Sequence, residues 1–252
     1  MVFGRFGVRR PEPFVTGLSP GVRGNIIHNA LHILLNDKPS VRDISQWSDD
    51  EISRRVGAAI DGALATHSRL ADPVLSRLIG FERERVRNML IKFVTVEQAR
   101  DPDIQVVAAE LPLSYELDDV KLSFRIDRVD RLPDGRLLII DYKTGAPKHF
   151  LRQTDELRDL QPVLYADAVD ELVGGLAFLN VDSRAITWKS AISDNTDADD
   201  SFDDRLAGWI RVVRGCVQTF AAGDSRVNVL LSSAEARPLA ILSRIEEIRR
   251  DQ

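Results

Sequence analysis

Apolar side chains recur at helical spacing in the N-terminal part of the chain. Ser19 and Pro20 are residue types typical of a helix start. Behind them, apolar residues fall three or four positions apart: Val22, Ile26, Ile27, Ala30, Leu31, Leu34 and Leu35. This pattern predicts a helix over residues 20–36, and similar periodicity predicts two more over about 48–68 and 72–97.

After Asp101-Pro102, the helical periodicity gives way to an alternation of apolar and polar residues, which is typical of half-buried strands. Residues 104–117 and 120–130 are predicted to form two such strands, joined by a hairpin turn over 117–120. A second turn at Pro133-Asp134-Gly135 leads into a strand that ends at Lys143. Because residues 137–140 are all apolar, this strand should be covered on both faces and lie centrally in its sheet.

The C-terminal half mixes both kinds of element. Its pattern predicts a helix over 155–171, strands over 174–181 and 184–190, an acidic loop over 194–200, and helices over 202–221 and 233–250. The order of helices, strands, one helix, strands and helices predicts an α/β (α+β) fold. We expect a mixed central β-sheet flanked by helices.

The same pattern suggests how the chain is divided. Residues 1–20 are rich in Arg, Pro and Gly and are expected to form an irregular lead-in. A single domain is expected to follow over 21–252. Within it we expect a helical part, a sheet core and C-terminal helices, over residues 21–100, 104–190 and 200–250.

Cysteine content, hydropathy and charge narrow the class of protein. The only cysteine among the 252 residues is Cys216, which excludes an intramolecular disulfide. No apolar run approaches the roughly 20 residues that span a membrane, and the basic N-terminal stretch lacks the apolar core of a signal peptide. We therefore expect a soluble, cytoplasmic protein. The net charge of -5 argues against coating DNA by bulk charge, but a local basic stripe would still bind phosphates.

Two aspartates and a lysine are expected to converge where two strands end. Asp127 lies near the end of one strand, and Asp141 and Lys143 lie on one face at the end of the next. Carboxylate oxygens are the ligands that Mg²⁺ prefers, and an ion held there would polarise a scissile phosphate. Lys143 would orient the attacking water and stabilise negative charge in the transition state.

A surface salt bridge is the commoner explanation of a lone Asp-x-Lys, because short motifs match by chance. Here three features favour the catalytic interpretation. The motif ends a strongly apolar strand, and a hairpin strand with its own aspartate precedes it. A glycine turn and then Gln161-x-x-x-Tyr165 on a predicted helix follow it.

Together these segments resemble the RecB-type branch of the PD-(D/E)xK nucleases. The likeness is closest to the C-terminal nuclease domain of AddB-like helicase-nuclease and DNA repair proteins. It rests on Ile126-Asp127-Arg128-Val129-Asp130, Ile139-Ile140-Asp141-Tyr142-Lys143-Thr144-Gly145 and Leu160-Gln161-x-x-x-Tyr165-Ala166, with Gly24-x-x-x-His28 on the first helix. The resemblance implies a restriction-endonuclease-like core and a nuclease dependent on Mg²⁺ or Mn²⁺.

The resemblance also implies a role for each matching residue. His28, Asp127, Asp141 and the backbone carbonyl of Tyr142 would be the metal ligands, and Lys143 would be the catalytic lysine. Gln161 and Tyr165 would contact DNA or order Lys143. His32 competes with His28 on spacing alone, and Glu110 on the preceding strand is a weaker candidate. Of the basic residues around the motif, Arg128 and Lys148 are expected to bind phosphates of DNA.

This sequence departs from the family in two places. Phe124 stands where the family usually has glycine, three residues before the first aspartate. Many relatives also carry a C-terminal cysteine cluster that binds an iron–sulfur centre, and here its cysteine positions hold Ala234, Arg237 and Ser243. Without thiolates no such cluster can form, so we expect no iron–sulfur cluster.

Three functions remain open from the sequence. The first is an exonuclease-like enzyme acting on DNA ends in repair or recombination. Because the chain has no GxxxxGK[ST] motif, a motor would belong to a helicase subunit or to a helicase region outside this sequence. The second is a degenerate nuclease fold that binds DNA or acts as a scaffold without cleaving it. The third is an unrelated α+β enzyme with a chance Asp-x-Lys.

Overall fold

Four helices precede the first strand in the computed structural model, which describes residues 18–66, 73–117, 120–144, 161–192 and 201–221. The helices are α1 (Pro20–Leu34), α2 (Val41–Ser45), α3 (Asp49–Ala65), α4 (Pro73–Gln98), α5 (Gln161–Ala168) and α6 (Phe202–Ala221). The strands are β1 (Gln105–Leu117), β2 (Val120–Arg131), β3 (Leu137–Lys143), β4 (Val173–Val181) and β5 (Ile186–Ile192).

Serine caps define the starts of the first three helices. Ser19, Ser40 and Ser48 each accept a hydrogen bond from a backbone N–H three residues further on. Such caps satisfy donors that the first helical turn leaves without partners. The pattern of apolar residues did not predict α2, because five residues are too few to show a helical period. Its start is specified locally by a capping box between Ser40 and Asp43.

The five strands form one sheet in the order β1-β2-β3-β4-β5. All neighbouring pairs are antiparallel except β3 and β4, which run parallel and are separated in the chain by α5. The prediction of a mixed central sheet with flanking helices is therefore confirmed. So is the central position of β3, since it lies third of five strands and residues 137–142 are buried.

Alternate residues of β3 enter two different apolar cores. Leu138, Ile140 and Tyr142 pack with residues of α1, α3 and α4. Leu137 and Ile139 pack on the other face, with residues of α5 and α6. Burial of both faces explains why residues 137–140 are all apolar. It also brings α1 to one face of β3 and α5 to the other, which places both helices beside the end of this strand.

Most predicted bounds lie within a few residues of the observed ones. The exception is the helix predicted over 155–171: its described part, α5, ends at Ala168, and residues 155–160 lie outside the described residues. β5 begins at Ile186 rather than 184, because Asp182 accepts a hydrogen bond from Arg184 N in a turn. The lead-in, the acidic loop and the helix predicted over 233–250 also lie outside the described residues.

A fully buried ion-pair network joins α4 to β2. Arg128, Asp130 and Glu97 each have 0% side-chain exposure, and Arg128 donates to both carboxylates at 2.6–2.9 Å. Arg100 Nη1 lies 2.8 Å from an oxygen of each of the same two carboxylates. The expectation that Arg128 binds DNA phosphates is therefore wrong for this arrangement, because its guanidinium is enclosed in the core and satisfied by carboxylates.

The turn between β2 and β3 requires a glycine. Gly135 has a φ of +88°, and its N–H donates to Leu132 O at 2.9 Å. We expect Gly135→Ala to lower the free energy of unfolding by about 1 kcal/mol or more, because a Cβ disfavours this backbone conformation. Urea denaturation measures the effect.

Gly57 provides the matched control for that substitution. It lies within α3, and a Cβ built there meets no atom within 4 Å. Gly57→Ala should therefore raise the free energy of unfolding, by about 0.5–1 kcal/mol. A loss of stability in Gly57→Ala equal to that in Gly135→Ala would contradict the requirement for glycine in the turn.

Candidate metal centre

Helix α1 presents His28 to the ends of the central strands. Its buried residues, Ile26, Ile27, Ala30, Leu31 and Leu34, hold the helix against the sheet. His28 Nδ1 lies 3.1 Å from Asp127 Oδ1, although the two residues are 99 positions apart in the chain. His32, the competing histidine, has a buried Nδ1 without a hydrogen-bond partner among the described residues.

Asp127 occupies the point where β2 and β3 cease to pair. The ladder between these strands runs from Arg131↔Leu137 to Arg128↔Ile140. Beyond it, the N–H of Tyr142 donates to Asp127 Oδ2 at 2.7 Å. One carboxylate oxygen is thus tied to the backbone of β3, while the other faces His28.

Glu110 completes the group of possible ligands. One ligand atom each from His28, Glu110 and Asp127 lies within 4.8 Å of the other two. Glu110 carries its carboxylate on β1, where its φ is +58°, and Arg125 Nη1 lies 2.7 Å from Glu110 Oε2. The sequence identified Glu110 only as a weaker candidate, because strand alternation cannot reveal a left-handed residue within a strand.

The spacing and chemistry of these atoms fit a divalent cation. Ligands at about 2.1 Å from Mg²⁺ in octahedral geometry lie about 3 Å apart when adjacent. The 3.1 Å between His28 Nδ1 and Asp127 Oδ1 matches that separation. One imidazole nitrogen and carboxylate oxygens suit Mg²⁺ or Mn²⁺, and the carboxylates supply compensating negative charge.

The electrostatics of the cluster favour a positive charge. Burial opposes protonation of His28, but the hydrogen bond to Asp127 and the charge of Asp127 outweigh it. Asp141 and Glu110 act in the same direction, and the pKa of His28 is raised above 6.5. A cation at this position would be attracted by the same charges.

Asp141 and Lys143 form a pair beside this cluster. Lys143 Nζ lies 2.6 Å from Asp141 Oδ2, and the Asp141 side chain is 4% exposed. We expected Asp141 to converge with His28 and Asp127, yet the compact set contains Glu110 instead. Asp141 nevertheless acts electrostatically on both His28 and Tyr165. Its carboxylate therefore belongs to the same site, with the lysine ammonium balancing its charge.

Strand β4 adds two residues that the sequence did not single out. In the parallel pairing, Asp141 is opposite Phe178 and Lys143 is opposite Asn180. The Lys143 ammonium lies 5.2 Å from the centre of the Phe178 ring, within range of a cation–π interaction. No sequence signal marks these residues, because the register of a parallel pair depends on how the intervening segment crosses the sheet.

Tyr142 supports the site from the α1 face. Its buried ring makes edge contacts with His28 and Phe93, with centroids 5.7 and 6.4 Å apart. Gly24, one helical turn before His28, approaches Thr144 closely: a Cβ at Gly24 would lie 3.1 Å from Thr144 Oγ1. The small residue in Gly24-x-x-x-His28 thus lets α1 approach the end of β3.

Tyr165 and Gln161 approach the carboxylates from α5. Gln161 Nε2 donates to Tyr165 Oη at 2.6 Å. Burial, followed by the charges of Asp141 and Asp127, raises the pKa of Tyr165 to about 12, so the hydroxyl stays protonated. Phe124 packs against the Tyr165 ring with centroids 5.0 Å apart. The large residue in the place of the family's glycine therefore supports Tyr165.

Helix α5 is itself tied to the end of the fold. Arg214 of α6 forms two hydrogen bonds to Asp167, at 2.6 and 2.8 Å, and Tyr115 Oη donates to the same carboxylate. These contacts fix the helix that carries Gln161 and Tyr165. Lys148, the other residue expected to contact DNA, lies outside the described residues.

A family model describes this combination of fold and site. Residues 5–229 match the PD-(D/E)XK nuclease superfamily. The match covers most of the chain, and the chain belongs to this superfamily. Within the described residues, no helix is long and apolar enough to cross a membrane.

Two curated relatives narrow the likeness within the superfamily. One of them, a subunit of the ATP-dependent helicase/deoxyribonuclease of Clostridium novyi (strain NT), is 26% identical over 226 residues, or 75% of this chain and 19% of that protein. The corresponding protein from Clostridium perfringens (strain ATCC 13124) is 26% identical over 184 residues, or 66% of this chain and 16% of that protein. The chain thus spans less than a fifth of the length of these relatives.

A solved structure, that of SSO0001, aligns with 79% of this chain and 84% of its own. The TM-score is 0.30 and the sequence identity is 14%, which makes this a distant likeness.

Proposed function

We propose that this chain is a Mg²⁺- or Mn²⁺-dependent deoxyribonuclease domain that hydrolyses phosphodiester bonds at DNA ends. The observation that carries the proposal is the His28–Asp127 pair, with ligand-like spacing, beside the Asp141–Lys143 ion pair. Membership of the PD-(D/E)XK nuclease superfamily supports it. A nuclease of this family acting in DNA repair is the coarser conclusion, and exonuclease-like action on ends is the finer one.

The metal ligands in this proposal are His28, Asp127, Asp141 and the backbone carbonyl of Tyr142. The bound ion would polarise the scissile phosphate and favour ionisation of an attacking water. Asp127 also holds the N–H of Tyr142, and that contact orients the backbone from which the Tyr142 carbonyl projects. The buried position of Asp141 excludes bulk water from one side of the site.

Lys143 acts on the reacting phosphate in this scheme. Its ammonium is held between the Asp141 carboxylate and the Phe178 ring, and its side chain keeps 31% exposure. It therefore remains accessible to a substrate while its position is restrained. There it would orient the nucleophile and stabilise the charge that develops on the phosphoryl oxygens.

We assign DNA contact to Gln161 and Tyr165 on α5, with Lys148 as a phosphate-binding residue. Because Tyr165 is 2% exposed, its role is to order the site through Gln161. The two clostridial relatives are named as parts of an ATP-dependent helicase/deoxyribonuclease. The corresponding partner here would be a helicase subunit or a helicase region outside this sequence.

End-labelled linear DNA, single- and double-stranded, tests the activity. We expect cleavage with Mg²⁺ or Mn²⁺, none with EDTA, and mononucleotide or short products from labelled ends. Covalently closed circular DNA of the same sequence should resist cleavage if action begins at ends. Asp127→Asn, which removes the charge but keeps the side-chain shape, is the inactive control.

DNA binding without cleavage by the wild-type chain would instead identify a degenerate nuclease fold. Electrophoretic mobility shifts in EDTA detect that outcome on the same substrates. Cleavage of the circular substrate at the rate of the linear one would contradict the exonuclease assignment but retain the nuclease.

A further inference from the structure

Glu110 has a backbone conformation that is unusual for its residue type and place. Among the described residues other than glycine, two have a positive φ: Lys38 at 51° and Glu110 at 58°. Lys38 lies in an exposed turn, whereas Glu110 lies in the middle of strand β1. A residue with a Cβ rarely adopts this region, and within a strand it interrupts the regular alternation of side chains.

The interruption falls opposite Asp127. In the β1–β2 pairing, Ala109 is opposite Arg128 and Leu111 is opposite Ile126, so the position between them places Glu110 against Asp127. That pair is itself absent from the ladder. The left-handed residue thus turns the Glu110 carboxylate to where its ligand atom lies within 4.8 Å of those of His28 and Asp127.

This arrangement disfavours the protein without a bound cation. Two carboxylates directly opposite each other on neighbouring strands repel. The Glu110 side chain is 9% exposed, so water screens that repulsion poorly. Arg125 offsets part of the charge at 2.7 Å, but its own side chain is 59% exposed. Strain that persists beside a site points to a function that requires it.

We infer that Glu110 is a further metal-binding residue, and that its left-handed backbone serves to aim its carboxylate at the ion. The inference rests on the proposed function. The free protein holds a strained strand and opposed carboxylates, and the bound divalent ion relieves the repulsion. Glu110 therefore trades stability of the metal-free chain for affinity toward the metal.

Glu110→Gly separates the two parts of this inference. Glycine adopts a positive φ without strain and carries no carboxylate. In EDTA, the thermal midpoint of Glu110→Gly should exceed that of the wild type by a few degrees. Removing residues that merely support metal ligands typically costs about 10–100-fold in metal affinity. Calorimetric titration with Mn²⁺ should therefore show at least about tenfold weaker binding.

Two further variants complete the design. Glu110→Gln keeps the side-chain length and the backbone strain but loses the charge, so it should weaken Mn²⁺ binding with a smaller gain in midpoint. Lys38→Gly relieves the other positive φ away from the site. It should raise the midpoint in EDTA and leave the Mn²⁺ affinity unchanged.

Wild-type affinity for Mn²⁺ in both Glu110→Gly and Glu110→Gln would overturn the inference and leave the nuclease proposal standing. A lower midpoint for Glu110→Gly in EDTA would overturn the claim that the backbone is strained for function. If the wild type bound no Mn²⁺, both proposals would fail. If it bound Mn²⁺ through Glu110 but cleaved no DNA, only the nuclease proposal would fail.

Discussion

Replacing Lys143 by alanine should slow metal-dependent DNA cleavage by about a hundred- to a thousandfold, equivalent to about 2.7–4 kcal/mol of transition-state stabilisation. The ammonium is the cation of this strand that approaches the reacting phosphate, and it lies 2.6 Å from Asp141. Mn²⁺ affinity should be largely retained, because the lysine is not a ligand. The measurement is a single-turnover cleavage rate beside a calorimetric Mn²⁺ titration.

Asp141→Ala is the informative comparison, since it removes a proposed ligand and should reduce both metal affinity and cleavage. Lys121→Ala is the matched control. Lys121 is 78% exposed near the end of the β1–β2 hairpin and pairs only loosely with Glu116, at 3.5 Å. It should cleave at the wild-type rate. Wild-type cleavage by Lys143→Ala would reduce Lys143 to a structural ion-pair partner and remove the central residue of the proposed mechanism.

Replacing Arg128 by methionine should lower the free energy of unfolding by about 3–5 kcal/mol, as breaking a buried ion pair typically does. The guanidinium contacts Asp130 and Glu97, and all three side chains have 0% exposure. Burial disfavours the ionised form of Glu97, but Arg128 and Arg100 outweigh it and lower the pKa of that carboxyl. Without Arg128, two buried carboxylates would share one arginine.

Arg54→Met is the control for the Arg128 experiment. Arg54 pairs with Glu51 on the surface of α3, where its side chain is 67% exposed. An exposed pair of this kind contributes little, so the urea midpoint should barely move. Similar midpoints for the two methionine variants would show that the buried network does not hold α4 to β2.

The pattern of apolar and polar residues was sufficient to predict most of the architecture. Periodicity alone marked α1, α3, α4 and α6, and alternation marked β1 and β2. The uninterrupted apolar run in β3 indicated that both its faces are covered, as they are. These predictions succeed because burial of a side chain depends on the local period of its element. The five-residue helix α2 escaped notice because its start rests on a cap.

Part of the candidate site also followed from the sequence. Asp127, Asp141 and Lys143 could be placed together because hairpin strands bring their ends into proximity, and His28 was implied by the family resemblance. Arg128 shows where such reasoning fails. Its position within a motif region suggested contact with DNA, but a single sequence does not reveal that Glu97, 31 residues earlier, would meet it in the core.

The sequence by itself determined which elements form, which faces they bury and which residue types carry the chemistry. Only the tertiary structure decided which of those residues meet. The placement of Glu110 depends on a backbone torsion at one strand position, and that of Phe178 on the register of a parallel pair. Both are set by packing between segments distant in the chain. No local period records them, because such contacts form only when the whole sheet is assembled.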